Sequence, residues 1–192
     1  AARFIGGDYY DVIHTGEKNL GVALADVSGK SISGALMMVV ARSITRSAVL
    51  HQSDPGAILK EVNQKLVEST SQISGGMFVT MTYISLERHS GILKYARAGH
   101  TPLLVYRGQT GLVEQIDPAG IALGLVSGEM FDENIEEVEL TISPDDLCML
   151  YTDGLSEAMS LTNEEFGEER IVKFLEQHGG QPLEEIIRML SE

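Results

Sequence analysis

The sequence predicts an α/β (α+β) layered sandwich built on antiparallel sheet, and three observations carry that prediction. Two consecutive helical patterns occupy about residues 32–70. A run of short strand patterns joined by tight turns follows from Met77. Two more helical patterns close the chain. Adjacent strands with short turns pair antiparallel, which excludes a doubly wound parallel sheet.

Each element has its own signal. Leu20-Gly-Val-Ala-Leu-Ala25 reads as a strand and runs directly into Asp26-Val27-Ser28-Gly29-Lys30-Ser31. Ile32, Leu36, Val39, Val40 and Ile44 recur at helical spacing and predict the apolar stripe of the first helix. Asp54 and Pro55 are the cap and first-turn residues of a second helix, with Ile58, Leu59, Val62 and Leu66 as its stripe and Glu61–Lys65 paired on the wet face. From Phe78 to Leu86 the period falls to two, among β-branched and aromatic residues. Glu87-Arg-His-Ser-Gly91 then reads as a turn, and Leu93–Ala98 as the returning strand. Leu103–Tyr106, Glu137–Ile142 and Leu147–Tyr151 complete the predicted strands, the last two joined by a turn at Pro144-Asp145-Asp146. Ile171, Phe174 and Leu175 mark one late helix, and Leu183, Ile186, Ile187 and Leu190 another. With no internal repeat or linker, residues 1–192 are expected to form one domain.

Composition narrows the function. The 192 residues are 43% hydrophobic and 22% charged, as in ordinary globular proteins. The net charge of −14 argues against nucleic acid or an anionic membrane as partner. One cysteine, Cys148, can form neither an internal disulfide nor a cysteine-based zinc site, which fits a reducing, cytoplasmic setting and a core role for that residue. The longest apolar run, Ala35–Ala41, is far short of the ~20 residues that span a bilayer, so no membrane contact is expected of this segment. The chain starts Ala1-Ala-Arg-Phe4 without methionine or a signal pattern, and reads as a domain excised from something longer.

The chemistry is expected at three aspartates. Asp8 lies in Gly6-Gly7-Asp8-Tyr9-Tyr10-Asp11, beside glycines that permit close backbone packing. Asp26 and Asp153 each follow an apolar strand and precede a small residue or short apolar step. Such endings aim carboxylates from rigid elements, and an all-oxygen set favours Mg²⁺ or Mn²⁺ over zinc. The plainer alternative makes Asp8 a turn residue, Asp26 a helix cap and Asp153 part of a turn with Gly154. A phosphate loop ending in Gly29-Lys30-Ser31 is disfavoured, because the motif needs glycine where Leu24 stands. His100 is a structural turn residue or, as the competing reading, a general acid. Met37 and Met38 are expected in the core, and Glu164, Glu165, Glu168 and Glu169 at the wet start of a helix.

Five blocks in order carry a family resemblance: Gly6-Gly7-Asp8-Tyr9-Tyr10-Asp11, Ala25–Lys30, Phe78–Tyr83, Ala98-Gly99-His100-Thr101-Pro102 and Tyr151–Ala158. Together they resemble the bacterial metal-dependent serine/threonine phosphatases of the PPM (PP2C-like) superfamily, in the sporulation and stress-response (SpoIIE/RsbU-type) branch. The resemblance implies two Mn²⁺ or Mg²⁺ ions between two mainly antiparallel sheets, in an α-β-β-α sandwich. By position, Asp26 would bridge both ions and the Val27 carbonyl would bind one. Asp153 would ligate the other ion, and Asp8 would bind directly or through water. The implied reaction is hydrolysis of phosphoserine or phosphothreonine on a regulatory protein, in this branch an anti-sigma-factor antagonist. An upstream sensory domain and a homodimer are also implied.

Two departures temper this. The family's closing strand carries an Asp-Asp pair, whereas this sequence stops at Ser191-Glu192, so the second ion is expected to be weakly held. The strand usually found before Gly-Gly-Asp is short here, and Arg3 has no clear counterpart. The competing function is therefore a degenerate, non-catalytic phosphatase fold that serves as a sensor or scaffold.

Overall fold

The structure, a computed structural model, describes residues 7–16, 18–29, 32–70, 76–160 and 162–191. Arg3, Gly6, Lys30 and Ser31, which the sequence reading touches, lie outside the described residues, as does the segment before Gly7. The chain divides into two units, Ala1–Thr101 with Pro118–Thr141, and Pro102–Asp117 with Ile142–Glu192.

The first unit opens with β1 (Tyr9–His14), β2 (Asn19–Val27), α1 (Ile32–Ala48), α2 (Pro55–Thr70), β3 (Val79–Glu87) and β4 (Ile92–Ala98). The chain then makes β5 (Leu103–Tyr106) and β6 (Val113–Ile116), and returns to the first unit for α3 (Glu129–Asp132) and β7 (Glu137–Thr141). It ends with β8 (Leu147–Met149), α4 (Asp153–Ser156), α5 (Glu168–His178) and α6 (Leu183–Leu190). All the strand pairs within both sheets are antiparallel, as the short turns require.

In the first unit the sheet order is β1-β2-β3-β4-β7. Alternation along β2 sends Gly21, Ala23, Ala25 and Val27 to one buried face. Ile58, Leu59, Val62 and Leu66 of α2 are buried in the same cluster as Ala23, Ala25 and Val27, so the predicted α2 stripe is the core stripe. Burial of each such side chain contributes ~1.5–3 kcal/mol.

The predicted stripe of α1 needs correction. Ile32, Leu36 and Val39 are 61%, 62% and 59% exposed, while Gly34, Met37, Met38, Ala41, Thr45 and Ala48 are buried. Val40 and Ile44 pack against the core only in part. The cause is close approach: a Cβ at Gly34 would lie 2.5 Å from Gly29 O and 2.8 Å from a Val27 methyl. Small residues at positions 34, 41 and 48, seven apart, let the backbone come near, and the flexible Met37 and Met38 fill what remains. At the far end, Arg46 clamps α1 to β1 through a bidentate pair with Asp11 (2.6 and 2.7 Å), which also accepts from Tyr9 OH (2.7 Å).

In the second unit the sheet order is β6-β5-β8. All four residues of β5 are buried, and Leu104 clusters with Tyr151, Ile171 and Leu175. The turn before β8 is locked by Asp146, whose carboxylate accepts from Arg107 Nη1 (2.8 Å), Gly108 N (3.0 Å) and Ser143 N (3.0 Å). In α6 only Ile186 of the predicted stripe is buried, and Leu183 and Ile187 are 54% and 55% exposed. Glu168 and Glu169 do start α5, with Glu164 and Glu165 in the segment before it.

Candidate metal centre

The candidate site begins at the end of β2. The β1–β2 register pairs Tyr9 with Ala25. Carried one and two residues further, it sets Asp8 opposite Asp26 and Gly7 opposite Val27. The second pairing shows in how close the chains come: a Cβ on Gly7 would lie 3.0 Å from Asp26 Oδ1, 3.1 Å from a Val27 methyl and 3.1 Å from Val27 O. Glycine thus keeps open a space that any other residue would fill, directly beside two oxygen donors.

Backbone geometry explains why the Val27 carbonyl faces that space. Ser28 N–H donates to Phe78 O on the β3 side (2.9 Å), and Phe78 N–H donates to Ser28 Oγ (2.8 Å). In a trans peptide the carbonyl points opposite to the next N–H, so Val27 O is turned away from β3 toward Gly7. Ser28 therefore fixes this peptide plane. Val27 itself is buried, Asp26 half-buried and Asp8 exposed.

Asp26 is gripped from β3 as well. Thr80, its partner in the register, donates its hydroxyl to Asp26 O (3.3 Å) and contacts His100 Nδ1 (2.9 Å). His100 is 4% exposed, and its own carbonyl accepts from Arg97 Nη1 (2.5 Å). This buried, bonded setting favours the structural role for His100. Thr80 was not singled out in the sequence, because its register with Asp26 is a property of the folded sheet.

Asp153 belongs to the second unit. The strand before it stops at Met149, shorter than predicted, and Asp153 opens the four-residue helical turn α4. Its carbonyl accepts from Glu157 N (2.8 Å) and Ser156 Oγ (3.1 Å), and the residue is exposed. Cys148, half-buried in β8, has its thiol pushed up to about 11 by burial, which leaves it unreactive near neutral pH.

The residues of the first unit fit a hard divalent ion. Their donors are oxygen throughout, and Gly7 preserves room beside them. Asp8 directly precedes β1, and two carboxylates brought close at a strand end repel unless a cation intervenes. Among the described residues no group of three or more His, Cys, Asp or Glu side chains is gathered to hold a metal.

The family model for stage II sporulation protein E, SpoIIE, matches residues 16–192, which run through both units. The chain belongs to the SpoIIE family. Among curated proteins it is 27% identical to Protein IcfG of Synechocystis over 199 residues, covering 91% of this chain and 30% of that protein. It is also 27% identical to phosphoserine phosphatase RsbU of Bacillus subtilis over 194 residues, covering 100% of this chain and 54% of RsbU. The SpoIIE-family chain thus spans about half of RsbU and under a third of IcfG. Among solved structures, the RsbU and RsbW domains of Rv1364c from Mycobacterium tuberculosis match with a TM-score of 0.80 at 22% identity, over 99% of this chain and 51% of that one. The SiaA-PP2C domain of Pseudomonas aeruginosa matches at 0.79 and 25% identity, over 97% and 72%. The fold is that of PP2C-type phosphatase domains, with two antiparallel sheets and their helices as expected.

Proposed function

We propose that this chain is a phosphatase domain, residues 1–192, that hydrolyses phosphoserine or phosphothreonine on a regulatory protein with Mn²⁺ or Mg²⁺ as cofactor. The observation that carries the reading is the oxygen-lined space at Gly7, between Asp26 and Val27, in a member of the SpoIIE family. The name of RsbU, a phosphoserine phosphatase, supports the same substrate chemistry. An anti-sigma-factor antagonist is the proposed phosphoprotein, with an upstream sensory domain and a homodimer as the proposed setting.

Two bound ions would supply a water of lowered pKa and neutralise charge on the phosphoryl oxygens. The chain's own residues do the holding. Asp26, at the end of an interior strand, presents its carboxylate beside Gly7, and Val27 presents its carbonyl to the same space. Asp8 neighbours them across the register, directly or through water, and Asp153 is the proposed ligand of the other ion. The unreactive Cys148 thiol leaves no cysteine for a covalent phosphoenzyme.

The test is phosphate release from a phosphoserine protein with Mn²⁺, with and without chelator, in the parent and in Asp26→Ala and Asp153→Ala. The reading expects loss on chelation and in both variants while the fold is retained. Unchanged turnover in either variant removes that residue from the mechanism. The absence of a three-residue acidic or histidine cluster among the described residues favours a second reading, the non-catalytic sensor or scaffold. Calorimetric titration separates the two, since a scaffold takes up no Mn²⁺.

A further inference from the structure

The second unit carries a groove of about 460 Å³ that the proposed chemistry does not use. Leu155, Met159, Phe166, Phe174, Met189 and Leu190 supply its apolar lining, and Met159 is 63% exposed. Methionine side chains are flexible and adapt to the shape of a partner. The charged lining residues, Glu164 and Arg170, are 69% and 55% exposed and lie 3.9 Å apart. A small-molecule site needs polar groups inside it to orient the ligand. Here the charges stand at the rim over an apolar interior, which suits an apolar side chain carried by a polypeptide.

The groove is fastened to the turn that holds Asp153. Leu155 belongs to α4, which Asp153 opens. The hairpin carrying Met159 is tied to that turn and closed on itself. Gly167 N–H donates to Ser156 O, Phe166 N–H to Ala158 O and Ser160 N–H to Glu164 O, each at 2.8 Å. Glu164 N–H also donates to Ser160 Oγ (3.0 Å). A wall bonded in this way is preorganised, so little ordering opposes a partner. The surroundings have a sign as well. Glu157, Glu165 and Glu168 are exposed beside the lining residues, whereas Lys173 and Arg188 already pair with Glu169 (3.8 Å) and Glu185 (3.6 Å). The rim therefore attracts basic groups, in a chain of net charge −14.

We propose that this groove docks the phosphoprotein substrate, taking one apolar side chain of it while lysine or arginine beside that side chain meets the acidic rim. The proposal rests on the phosphatase reading above and gives it a recognition element next to Asp153.

The experiment uses phosphoserine peptides on the full chain with Mn²⁺. Each carries one leucine between two lysines, placed two to six residues from the phosphoserine, ~7–20 Å of extended chain. Control peptides have alanine for the leucine. The parent should favour the leucine peptide about 10-fold through KM at one or more of these spacings, and Met159→Glu should lose that preference. Equal KM for leucine and alanine peptides at every spacing overturns the docking role. So does a preference that survives Met159→Glu. Failure of the parent to hydrolyse p-nitrophenyl phosphate overturns the phosphatase reading instead. In that case, or should Met159→Glu fail to fold, methyl NMR of the parent decides. Shifts of the Met159 and Met189 methyls on adding the leucine peptide support the groove, and shifts confined to other methyls contradict it. Shifts of the same two methyls with protein concentration alone would assign the groove to a second copy and overturn the proposal.

Discussion

Asp26 and Asp153 look alike in the sequence, each an aspartate at the end of an apolar stretch, yet the structure gives them unlike settings. Asp26 is the penultimate residue of β2, an interior strand flanked by β1 and β3, with Thr80 of β3 as its register partner and its carbonyl accepting from the Thr80 hydroxyl. Asp153 follows β8, the edge strand of a three-stranded sheet, after a gap of three residues, and sits exposed on one helical turn. A strand paired on both sides fixes the direction of its last side chain, whereas a short turn fixes mainly its backbone. The lesson is that the same ending in sequence delivers rigidity only where neighbouring strands supply it.

The largest effect expected from this contrast is at Asp26. Asp26→Ala should lower Mn²⁺-dependent phosphate release about 1,000-fold, the upper range for removing one preorganised electrostatic group. Asp153→Ala should cost about 100-fold, because a less constrained ligand is more easily replaced by water. Steady-state assays at saturating Mn²⁺ measure both, and a larger loss at Asp153 would break the comparison.

The second unit has its own rigid point at Asp146. Burial alone would raise the pKa of Asp146, but the N–H groups of Ser143, Arg107 and Gly108 outweigh it and hold the carboxyl below its usual range. A folded pKa below the unfolded one means stability that is complete above the unfolded value, about 3.9, and lost as pH falls through the folded value. Asp146→Asn should destabilise by about 2 kcal/mol near neutral pH, since it weakens three bonds to a side chain only 4% exposed. It should also flatten the loss of stability below pH 4. Urea unfolding across that range checks both.

Smaller effects sharpen the picture of the first unit. Gly7→Ala should weaken Mn²⁺ binding about 10-fold by placing a methyl 3.0 Å from Asp26 Oδ1, with the fold retained. Calorimetry and circular dichroism together test this. Smallest of all, Cys148→Ala should leave phosphate release unchanged, and the parent thiol should resist alkylation at pH 8 because its pKa is pushed up to about 11.

Much of this architecture was legible in advance. The apolar run Leu20–Ala25 announced β2, and the Ile58, Leu59, Val62 and Leu66 stripe announced the buried face of α2. The face of α1 was not, because Ile32, Leu36 and Val39 have core spacing but the sheet demands small residues at Gly34, Ala41 and Ala48. β1, β6, α3 and α4 also escaped notice; the last three are only four residues long, too short for a period to register. At the site, the aspartates announced themselves by position. Thr80 did not, since its contact with Asp26 depends on which residue of β2 faces which residue of β3, and sequence spacing leaves that register open.

The most direct test of the account is paramagnetic broadening of backbone amide NMR signals by substoichiometric Mn²⁺. Within the first unit, the amides of Gly7, Asp8, Asp26 and Val27 should vanish first. Broadening that begins instead at surface glutamates such as those of α2 would mean that the oxygens around Gly7 do not hold the ion, and the proposed chemistry would lose its foundation.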